Sequence, residues 1–293
     1  MLTKPSWLKI RPPTTEQYNW IKQQVKGQQL HTVCQEAHCP NMTECWSAGT
    51  ASFMILGDTC TRGCRFCAIK TAKKGNPLEA QEPKKLAETI QKMKLKYVVI
   101  TSVDRDDLSN YGAGQFANCI LAIKKLNPKT KVEVLTPDFC GEKKCIETVL
   151  NAKPDVFGHN LETVKRLQEK VRDQRANYEQ SLKVLRLAKE IVPTVYTKSA
   201  LMLGMGETKA EILKTMEDLR NAGVELLSLG QYLQPAPDHY PVHRFVNPNE
   251  FAELKSEALK KGFLYCQSGP FVRSSFKAGD FFRSNGTVSN SLA

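Results

Sequence analysis

The sequence predicts an α/β protein built on an incomplete (β/α)6 barrel, with an N-terminal and a C-terminal extension. Short apolar segments alternate with amphipathic segments along most of the chain, a pattern typical of a parallel sheet covered by helices. Polar residues follow the ends of several predicted strands, where the active site of such a barrel lies. The chain has 293 residues, of which 41% are hydrophobic, and this is enough for one large α/β domain with a full core.

The elements are predicted in chain order from these patterns. A helix over 15–26 precedes the barrel, in a stretch that otherwise has little regular pattern. Short apolar runs predict strands over 52–56, 97–102, 131–135, 155–159, 194–201 and 226–230. Amphipathic stretches predict helices over 83–93, 114–125, 145–152, 176–190, 209–222 and 248–261. The predicted division is an N-terminal extension 1–50, a barrel 51–262 and a C-terminal extension 263–293.

Most of the cysteines fall into two triplets with different spacings. They are Cys34, Cys39 and Cys45, spaced C-x4-C-x5-C, and Cys60, Cys64 and Cys67, spaced C-x3-C-x2-C. Three thiolates can hold three irons of a [4Fe-4S] cluster, whereas a cluster that only carries electrons normally has four cysteine ligands. An iron without a protein ligand suggests chemistry at that iron, much as an open coordination position marks a catalytic zinc.

The triplets also have simpler interpretations, as buried thiols or as a structural zinc site. Zinc usually takes four ligands, often from C-x2-C pairs, and the chain lacks a paired set here. A non-catalytic electron carrier is a further alternative, but the bacterial ferredoxin run C-x2-C-x2-C-x3-C-P is absent. The spacing therefore favours two catalytic iron–sulfur sites.

Polar residues and glycines gather after the second, fourth and fifth predicted strands. They are Asp104, then Asn160 and Glu162, then Gly204, Gly206 and Glu207. Each group has a simpler interpretation. The run 104–107 reads as a solvated turn with local ion pairs, Asn160 and Glu162 as a helix cap, and the glycines as a plain turn.

The formal net charge is +12, which raises the question of partners. Acidic residues interrupt the lysine runs and no basic-and-aromatic stacking platform stands out, so we expect no nucleic-acid partner. A soluble basic surface and steering toward an acidic protein remain open. No apolar stretch is long enough to span a membrane, and the first residues lack the apolar core of a secretory signal. We therefore expect a cytoplasmic protein with no membrane partner.

The triplet at Cys60, Cys64 and Cys67, with Phe66 before its last cysteine, resembles the signature of the radical S-adenosyl-L-methionine (SAM) superfamily. The resemblance implies that this triplet holds a [4Fe-4S] cluster, whose open iron binds the amino and carboxylate groups of SAM. It also implies a radical SAM barrel, in which polar groups at the strand ends contact SAM and glycines let the backbone approach it. The expected SAM-binding residues are Asp104, Asn160, Glu162, Gly204, Gly206 and Glu207.

The resemblance becomes more specific toward the lipoyl synthase family. The segments that carry it are 32–45, 49–58, 101–108, 230–235 and 268–276. The last segment ends in R-S-S-F, where the family has R-S-S-Y, so Phe276 stands in place of tyrosine. The resemblance implies that Cys34, Cys39, Cys45 and Ser275 hold an auxiliary [4Fe-4S] cluster that donates sulfur, with Ser274 as the fallback for the serine. A hydroxyl is a poor match for iron in a sulfide-rich cluster. This suits a ligand that must dissociate from the iron when the cluster donates its sulfur.

The resemblance also implies a reaction and its partners. Sulfur would be inserted at carbons 6 and 8 of an octanoyl chain that is amide-linked to a lysine of a carrier protein. The implied cofactors are two [4Fe-4S] clusters and SAM. The implied partners are an octanoylated lipoyl carrier domain or the glycine-cleavage H protein, with reduced flavodoxin or ferredoxin as electron donor. An enzyme acting like biotin synthase or a methylthiotransferase is disfavoured, because here a cysteine triplet precedes the SAM motif.

The remaining cysteines and two histidines carry simpler predictions. We expect the cysteines outside the triplets to be small buried hydrophobes. They are Cys119, Cys140, Cys145 and Cys266. His31 and His38 adjoin the auxiliary triplet and are predicted to be surface or supporting residues rather than ligands.

Overall fold

The structure is a computed structural model, and it describes residues 3–9, 16–27, 30–36, 39, 41–47 and 51–283. Several sequence predictions lie wholly or partly outside these ranges. They are His38, residue 15 of the predicted helix, residues 37, 38, 40, 49 and 50 of the family-like segments, and residues 284–293 of the predicted C-terminal extension.

The described chain alternates strands and helices from Ser52 onward. The strands are β1 (His31–Thr32), β2 (Ser52–Ile55), β3 (Thr59–Cys60), β4 (Lys70–Thr71), β5 (Tyr97–Ser102), β6 (Lys131–Leu135), β7 (Val156–Gly158), β8 (Tyr196–Leu203), β9 (Leu226–Gln231) and β10 (Tyr265–Gly269). The α-helices are α1 (Glu16–Gly27), α2 (Val33–Glu36), α3 (Met42–Ser47), α4 (Glu82–Lys92), α5 (Ala113–Leu126), α6 (Lys143–Asn151), α7 (Gln168–Val171), α8 (Tyr178–Ile191), α9 (Lys209–Asn221) and α10 (Pro248–Lys260).

The main sheet confirms the predicted incomplete barrel. Its strand order is β1-β2-β5-β6-β7-β8-β9-β10, and every neighbouring pair is parallel except β1 with β2. All six predicted strands are present, and β5 and β6 have the predicted bounds. Strand β10 was not predicted, because its sequence Y-C-Q-S-G is mostly polar and gives no apolar run. It extends the parallel sheet by pairing with β9.

Two apolar cores lie between the sheet and the helices that cover it. In the first, Val98 and Ile100 of β5 pack against α4 and α5. In the second, Leu201 and Leu229 of β8 and β9 pack against α9 and α10. Local signals fix the helix ends that carry these contacts. At the start of α9, for example, Thr208 and Glu211 form a reciprocal capping box.

The opposite faces of the strands point into the barrel, where the C-terminal segment closes the base. The ring of Phe281 lies 4.8 Å from that of Tyr196 and 6.0 Å from that of Tyr265. Phe282 packs on Tyr97, with 5.8 Å between ring centroids. Because Tyr97, Tyr196 and Tyr265 begin their strands, this aromatic cluster covers the amino-terminal end of the barrel.

One buried ion pair crosses the barrel interior near this base. Lys198 Nζ lies 2.8 Å from Glu133 Oε1, and the Tyr97 hydroxyl donates to Glu133 Oε2 at 2.5 Å. Burial raises the pKa of Tyr97, so its hydroxyl stays a neutral donor. A buried charge needs such partners, since an unpaired one is costly.

The predicted division into 1–50, 51–262 and 263–293 stays a prediction. Strands β1 and β10 come from either side of the predicted barrel range and still join its sheet. Among the helices that the structure describes, none is both long enough and apolar enough to cross a membrane.

Replacing Phe281 with alanine should destabilise the protein, because it removes a buried ring from the base of the barrel. We expect a loss of about 3–5 kcal/mol in the free energy of unfolding. Urea unfolding followed by circular dichroism measures it. Leu264→Ala is the matched control. Its side chain is 57% exposed, so its effect should stay within about 0.5 kcal/mol. Equal effects in the two variants would show that Phe281 does not close a packed base.

Candidate active site

The C-x3-C-x2-C triplet runs from Cys60, the last residue of β3, into the loop before β4, at the carboxyl-terminal edge of the main sheet. Backbone N–H groups point at its sulfurs. Arg62 N lies 3.4 Å and Asp104 N 3.3 Å from the Sγ of Cys60. Asp173 N lies 3.3 Å from the Sγ of Cys64. Such N–H donors stabilise thiolate sulfur and help to set the properties of an iron–sulfur site.

Burial raises the pKa of all three thiols of this triplet to about 12. The thiols also raise one another's pKa, because each feels the charge of a neighbour in the triplet. Three thiolates this close together are unfavourable without a cation between them. Binding of a metal group would therefore release protons and bring the compensating charge.

Arg62, between the first two cysteines, ties this loop to the barrel. Its guanidinium is 2% exposed. It makes paired hydrogen bonds to Asp106, at 2.8 and 2.9 Å, and to Asp138, with both at 2.8 Å. Asp104 lies 3.5 Å from the same group. The loop that carries the cysteines is thus fixed to the ends of β5 and β6.

The paired hydrogen bonds from Arg62 to Asp106 and Asp138, called the clamp below, change the pKa values of both carboxylates. Burial alone would raise the pKa of Asp138, but the hydrogen bonds and charge of Arg62 outweigh it and lower that pKa to about 2. For Asp106 burial is again outweighed by Arg62, and its pKa is lowered. Both carboxylates are therefore charged at neutral pH, and they hold the guanidinium in place.

Asp104 lies beside the triplet, as the sequence predicted for a residue of the site. Its Oδ2 is 3.8 Å from the Sγ of Cys60, and burial is the main cause that raises its pKa to about 6. The alternative of a solvated turn with local ion pairs over 104–107 holds only in part, because the local ion pair Arg105–Asp107 is present but its arginine is not solvated. Arg105 is buried there, and it bonds to Asp107 and to the carbonyl of Leu56 at 3.1 Å.

Glu162 and Asn160 follow β7 and lie on the same side of the barrel. Glu162 adopts a left-handed φ of 69° and forms a parallel bridge to Leu201 of β8. Burial raises its pKa, and Asn160 hydrogen-bonds to its carboxylate. The alternative that these residues cap a helix is wrong, because the next helical turns begin after Val164 and Leu167.

Arg172 is a cation of this site that sequence inspection missed. It is buried, and its Nη1 donates to Gln168 and to Ser181, at 3.2 and 2.8 Å. Its Nε has no hydrogen-bond partner among the residues that the structure describes. Burial raises the pKa of Cys64, Asp104 and Glu162, and the charge of Arg172 opposes that rise at each of them. It therefore carries an unused donor beside the cysteine triplet.

The Gly204, Gly206 and Glu207 group forms a tight turn after β8. Both glycines have positive φ, at 94° and 101°, which only glycine adopts without strain. The Glu207 carboxylate accepts from the backbone N of Gly204 at 2.6 Å and of Met205 at 2.8 Å. In this geometry Glu207 holds its own loop, so the simple interpretation of this group as a turn has direct support.

The C-x4-C-x5-C triplet surrounds a small cavity formed by both ends of the chain. Cys34 lies on α2 and Cys45 on α3, with Cys39 between these helices. The residues that line the cavity are Cys34, Cys39, Asn41, Cys45, Ser52, Arg273, Ser275 and Phe276. Burial raises the pKa of Cys34 to about 11 and that of Cys45 to about 12. Ser275 lines the cavity together with the thiols, and Ser274 is not among its lining residues.

Two contacts hold the C-terminal segment against the N-terminal helices. The side-chain amide of Asn41 donates to the carbonyl of Phe271, and Lys277 Nζ lies 3.0 Å from Glu44 Oε1. These contacts lie on either side of Ser275 in the sequence. The serine therefore faces the thiols because the segment is anchored at two points.

The other cysteines and His31 largely follow their predictions. Cys119, Cys145 and Cys266 are buried, as expected of small hydrophobes. Cys140 is different, because it is partly exposed and its Sγ lies 3.4 Å from Arg62 Nη2. His31 is at the surface, with its Nδ1 3.3 Å from Glu36 Oε1.

The two donor sets fit iron–sulfur clusters in their chemistry. Each brings three cysteine sulfurs to one place, and the auxiliary set adds a serine oxygen. Within the described ranges, no three His, Cys, Asp or Glu side chains converge so as to hold a single metal ion. No role was predicted from the sequence for Arg62, Asp138, Arg172 or Arg273. Arg62 lies inside the triplet and Arg273 begins the R-S-S-F motif, so both carried a signal, whereas Asp138 and Arg172 lie far along the chain from the cysteines that they adjoin.

Comparison with known proteins bears on both triplets. The chain matches the family model of the Radical SAM superfamily over residues 54–219, and that of the N-terminal domain of lipoyl synthase of the Radical_SAM family over residues 1–39. It is 52% identical to a lipoyl synthase of Legionella pneumophila, over 96% of this chain and 86% of the relative. It is 53% identical to a lipoyl synthase of Thermus thermophilus, over 95% of this chain and 86% of the relative.

Solved structures with a similar fold are much more distant in sequence. Methylornithine synthase (PylB) matches with a TM-score of 0.56 at 11% identity, over 73% of this chain and 63% of that chain. HydG, a maturase of the [FeFe]-hydrogenase, matches with a TM-score of 0.58 at 15% identity, over 72% of this chain and 49% of that chain. At these identities the likeness shows the fold alone, and it agrees with the predicted partial barrel.

Asp138→Asn should loosen the loop of the first triplet, because it removes a buried charge partner of Arg62. We expect a loss of about 3 kcal/mol in the free energy of unfolding, at the lower end for a broken buried pair since Asp106 remains. Urea unfolding of the metal-free chain at pH 7 measures it. Because the folded pKa of Asp138 is about 2 and its ordinary value is 3.8, this contribution is present above pH 3.8. It is lost as the pH falls toward 2.

The matched control for Asp138→Asn is Glu253→Gln. Glu253 also pairs with a cation, Lys209 at 3.0 Å, but its side chain is 61% exposed. Solvent screens such a pair, so the control should unfold at nearly the wild-type urea concentration. A control as unstable as Asp138→Asn would contradict the importance of the buried clamp.

Proposed function

The chain belongs to the lipoyl synthase family of radical SAM enzymes, and from that premise we propose that it inserts sulfur at carbons 6 and 8 of a protein-bound octanoyl-lysine. Enzymes of the radical SAM superfamily use SAM and a [4Fe-4S] cluster. The finer proposal rests on the cavity of the C-x4-C-x5-C triplet, called the auxiliary cavity below. Residues from opposite ends of the chain meet there, namely Cys34, Cys39, Cys45 and Ser275.

The residues divide between two cofactor sites in this proposal. Cys60, Cys64 and Cys67 would hold the cluster that binds SAM. Cys34, Cys39, Cys45 and Ser275 would hold an auxiliary [4Fe-4S] cluster. When bound, these groups supply the radical chemistry and the sulfur, because no side-chain base could remove a proton from an unactivated carbon. The protein binds, orients and shields them.

The charged groups beside the first triplet match the charges of SAM. The carboxylates of Asp104 and Glu162 would face its ammonium group, with Asn160 orienting Glu162 through their hydrogen bond. Arg172 would bind its carboxylate, since Arg172 Nε has no other partner among the described residues. Gly204 and Gly206 would let the backbone approach the ligand, with Glu207 holding their turn.

The auxiliary site depends on both extensions. We propose that residues 1–50 supply its cysteines, that 51–262 form the radical SAM barrel, and that 263–293 supply its serine through the R-S-S-F motif. Phe276 lines the cavity without the hydroxyl that a tyrosine would bring. Ser275 is favoured over Ser274 because only Ser275 lines the cavity.

The proposed substrate sets the partners. The octanoyl chain would arrive on a lipoyl carrier domain or on the glycine-cleavage H protein. Reduced flavodoxin or ferredoxin would supply electrons to the cluster at Cys60, Cys64 and Cys67.

Mass spectrometry of an octanoyl-lysine peptide, incubated anaerobically with the iron-loaded protein, SAM and a strong reductant, tests the proposal. We expect a peptide with two added sulfurs together with 5′-deoxyadenosine. Cys34→Ala should abolish sulfur insertion yet keep SAM cleavage, because the other cluster survives. Cys60→Ala should abolish both, and Ser275→Ala should insert sulfur poorly. If Cys34→Ala still gave the peptide with two added sulfurs, the auxiliary cluster would not be the sulfur donor.

Arg172→Met should weaken SAM binding, because it removes the proposed partner of the SAM carboxylate. A hydrogen bond to a charged group contributes about 1.5–3 kcal/mol, so we expect the Kd for SAM to rise by at least about tenfold. Isothermal titration of the iron-loaded protein measures it, and Arg172→Lys should restore part of the affinity. Arg186→Met is the control, since Arg186 is an exposed residue of the outer helix α8. Unchanged affinity in Arg172→Met would rule out the assignment.

A further inference from the structure

The auxiliary cavity holds a cation with no acidic partner among the described residues. Arg273 is partly buried, and its side chain lines the cavity beside the three thiols and Ser275. The hydrogen bond that its guanidinium makes runs from Nη1 to the carbonyl of Val272, at 2.7 Å. The acidic residue on the neighbouring helix, Glu44, is paired with Lys277 instead. The charge of Arg273 therefore faces sulfur rather than carboxylate.

The backbone fixes this guanidinium from two directions. On one side the segment presses against β9, where a Cβ on Gly230 would lie 2.0 Å from the carbonyl oxygen of Val272 and 3.4 Å from Arg273 Nη1. On the other side the carbonyl of Arg273 accepts from Phe276 N at 2.9 Å, and Asn41 binds the carbonyl of Phe271. Arg273 is thus held between the barrel wall and the cavity.

A cation in this place changes the energy of negative charge in the cavity. A charge removed from water and left without a counterion is costly, so a half-buried guanidinium needs an anion. Three thiolates, a serine oxygen and the sulfides of a cluster supply that anion. The reduction potential of such a cluster depends on net charge, hydrogen bonds to sulfur and exposure. A fixed positive charge beside it favours the reduced, more negative state.

We propose that Arg273 is a positioning residue for the auxiliary cluster. The fixed charge of Arg273 offsets the negative charge of the cluster and raises the reduction potential of the cluster. The inference rests on the proposed function, because it requires a cluster in this cavity. It assigns the arginine of the R-S-S-F motif a role of its own, distinct from that of the serine.

The test uses the full chain with Cys60, Cys64 and Cys67 all changed to alanine, so that only the auxiliary cluster remains. Its midpoint potential is measured by spectroelectrochemical titration with Arg273 intact, with Arg273→Gln and with Arg273→Lys. We expect Arg273→Gln to weaken reduction at least tenfold, which for one electron is a shift of about 59 mV to lower potential. Arg273→Lys should retain most of the wild-type potential, because it keeps the charge.

Arg283→Gln in the same background is the matched control. It removes the same charge from the same C-terminal segment, but Arg283 pairs with Asp280 and is 75% exposed. Its shift should be clearly smaller. Equal shifts in Arg283→Gln and Arg273→Gln, or no shift in Arg273→Gln, would overturn the proposal. Should Arg273→Gln fail to hold iron, the iron content decides. Retention in Arg273→Lys supports a role of the charge, and loss in both variants counts against it.

The same experiment separates this inference from the proposed function. If the background with Arg273 intact holds no cluster at all, the auxiliary site itself is wrong. If it holds a cluster whose reduction potential does not change when Arg273 is replaced, only the proposed role of Arg273 is contradicted.

Discussion

The arrangement of the first cysteine triplet depends on the buried guanidinium of Arg62. It joins a loop after β3 to Asp106 and Asp138, which stand at the ends of two other strands. Strand pairing fixes the sheet but leaves the loops at its edge free to move. A charge buried to 2% exposure cannot leave its partners without a large cost, so it holds those loops in one position. The thiols of the triplet therefore start from a set geometry.

The second triplet depends on a different constraint, because its cavity needs both ends of the chain. The N-terminal helices bring the cysteines, and the C-terminal segment brings Arg273 and Ser275. That segment also carries Phe281, which closes the base of the barrel. Packing at the base and the shape of the auxiliary cavity are thus properties of one stretch of chain. The R-S-S-F motif has its place because the residues after it are anchored in the barrel.

The two sites differ in charge in a way that suits their proposed roles. Beside the first triplet lie the carboxylates of Asp104 and Glu162 together with Arg172, a mixture that matches the opposite charges of SAM. Among the described residues that line the auxiliary cavity, the charged side chain beside the thiols is Arg273. The first site would suit a ligand that carries both signs of charge, and the auxiliary cavity would suit an anion.

The sequence by itself determined the barrel, because short apolar strands and amphipathic helices are local patterns, and β5 and β6 were predicted to the residue. It also determined both thiol triplets, since ligand spacing is read along a few residues. It missed β10, whose polar sequence becomes a strand only through its pairing with β9. The tertiary structure alone decided the partners of the buried arginines. Arg62 and Asp138 are 76 residues apart in the sequence, so no local pattern predicts their pairing. The pairing follows only from burial, because a buried charge needs a partner of opposite charge.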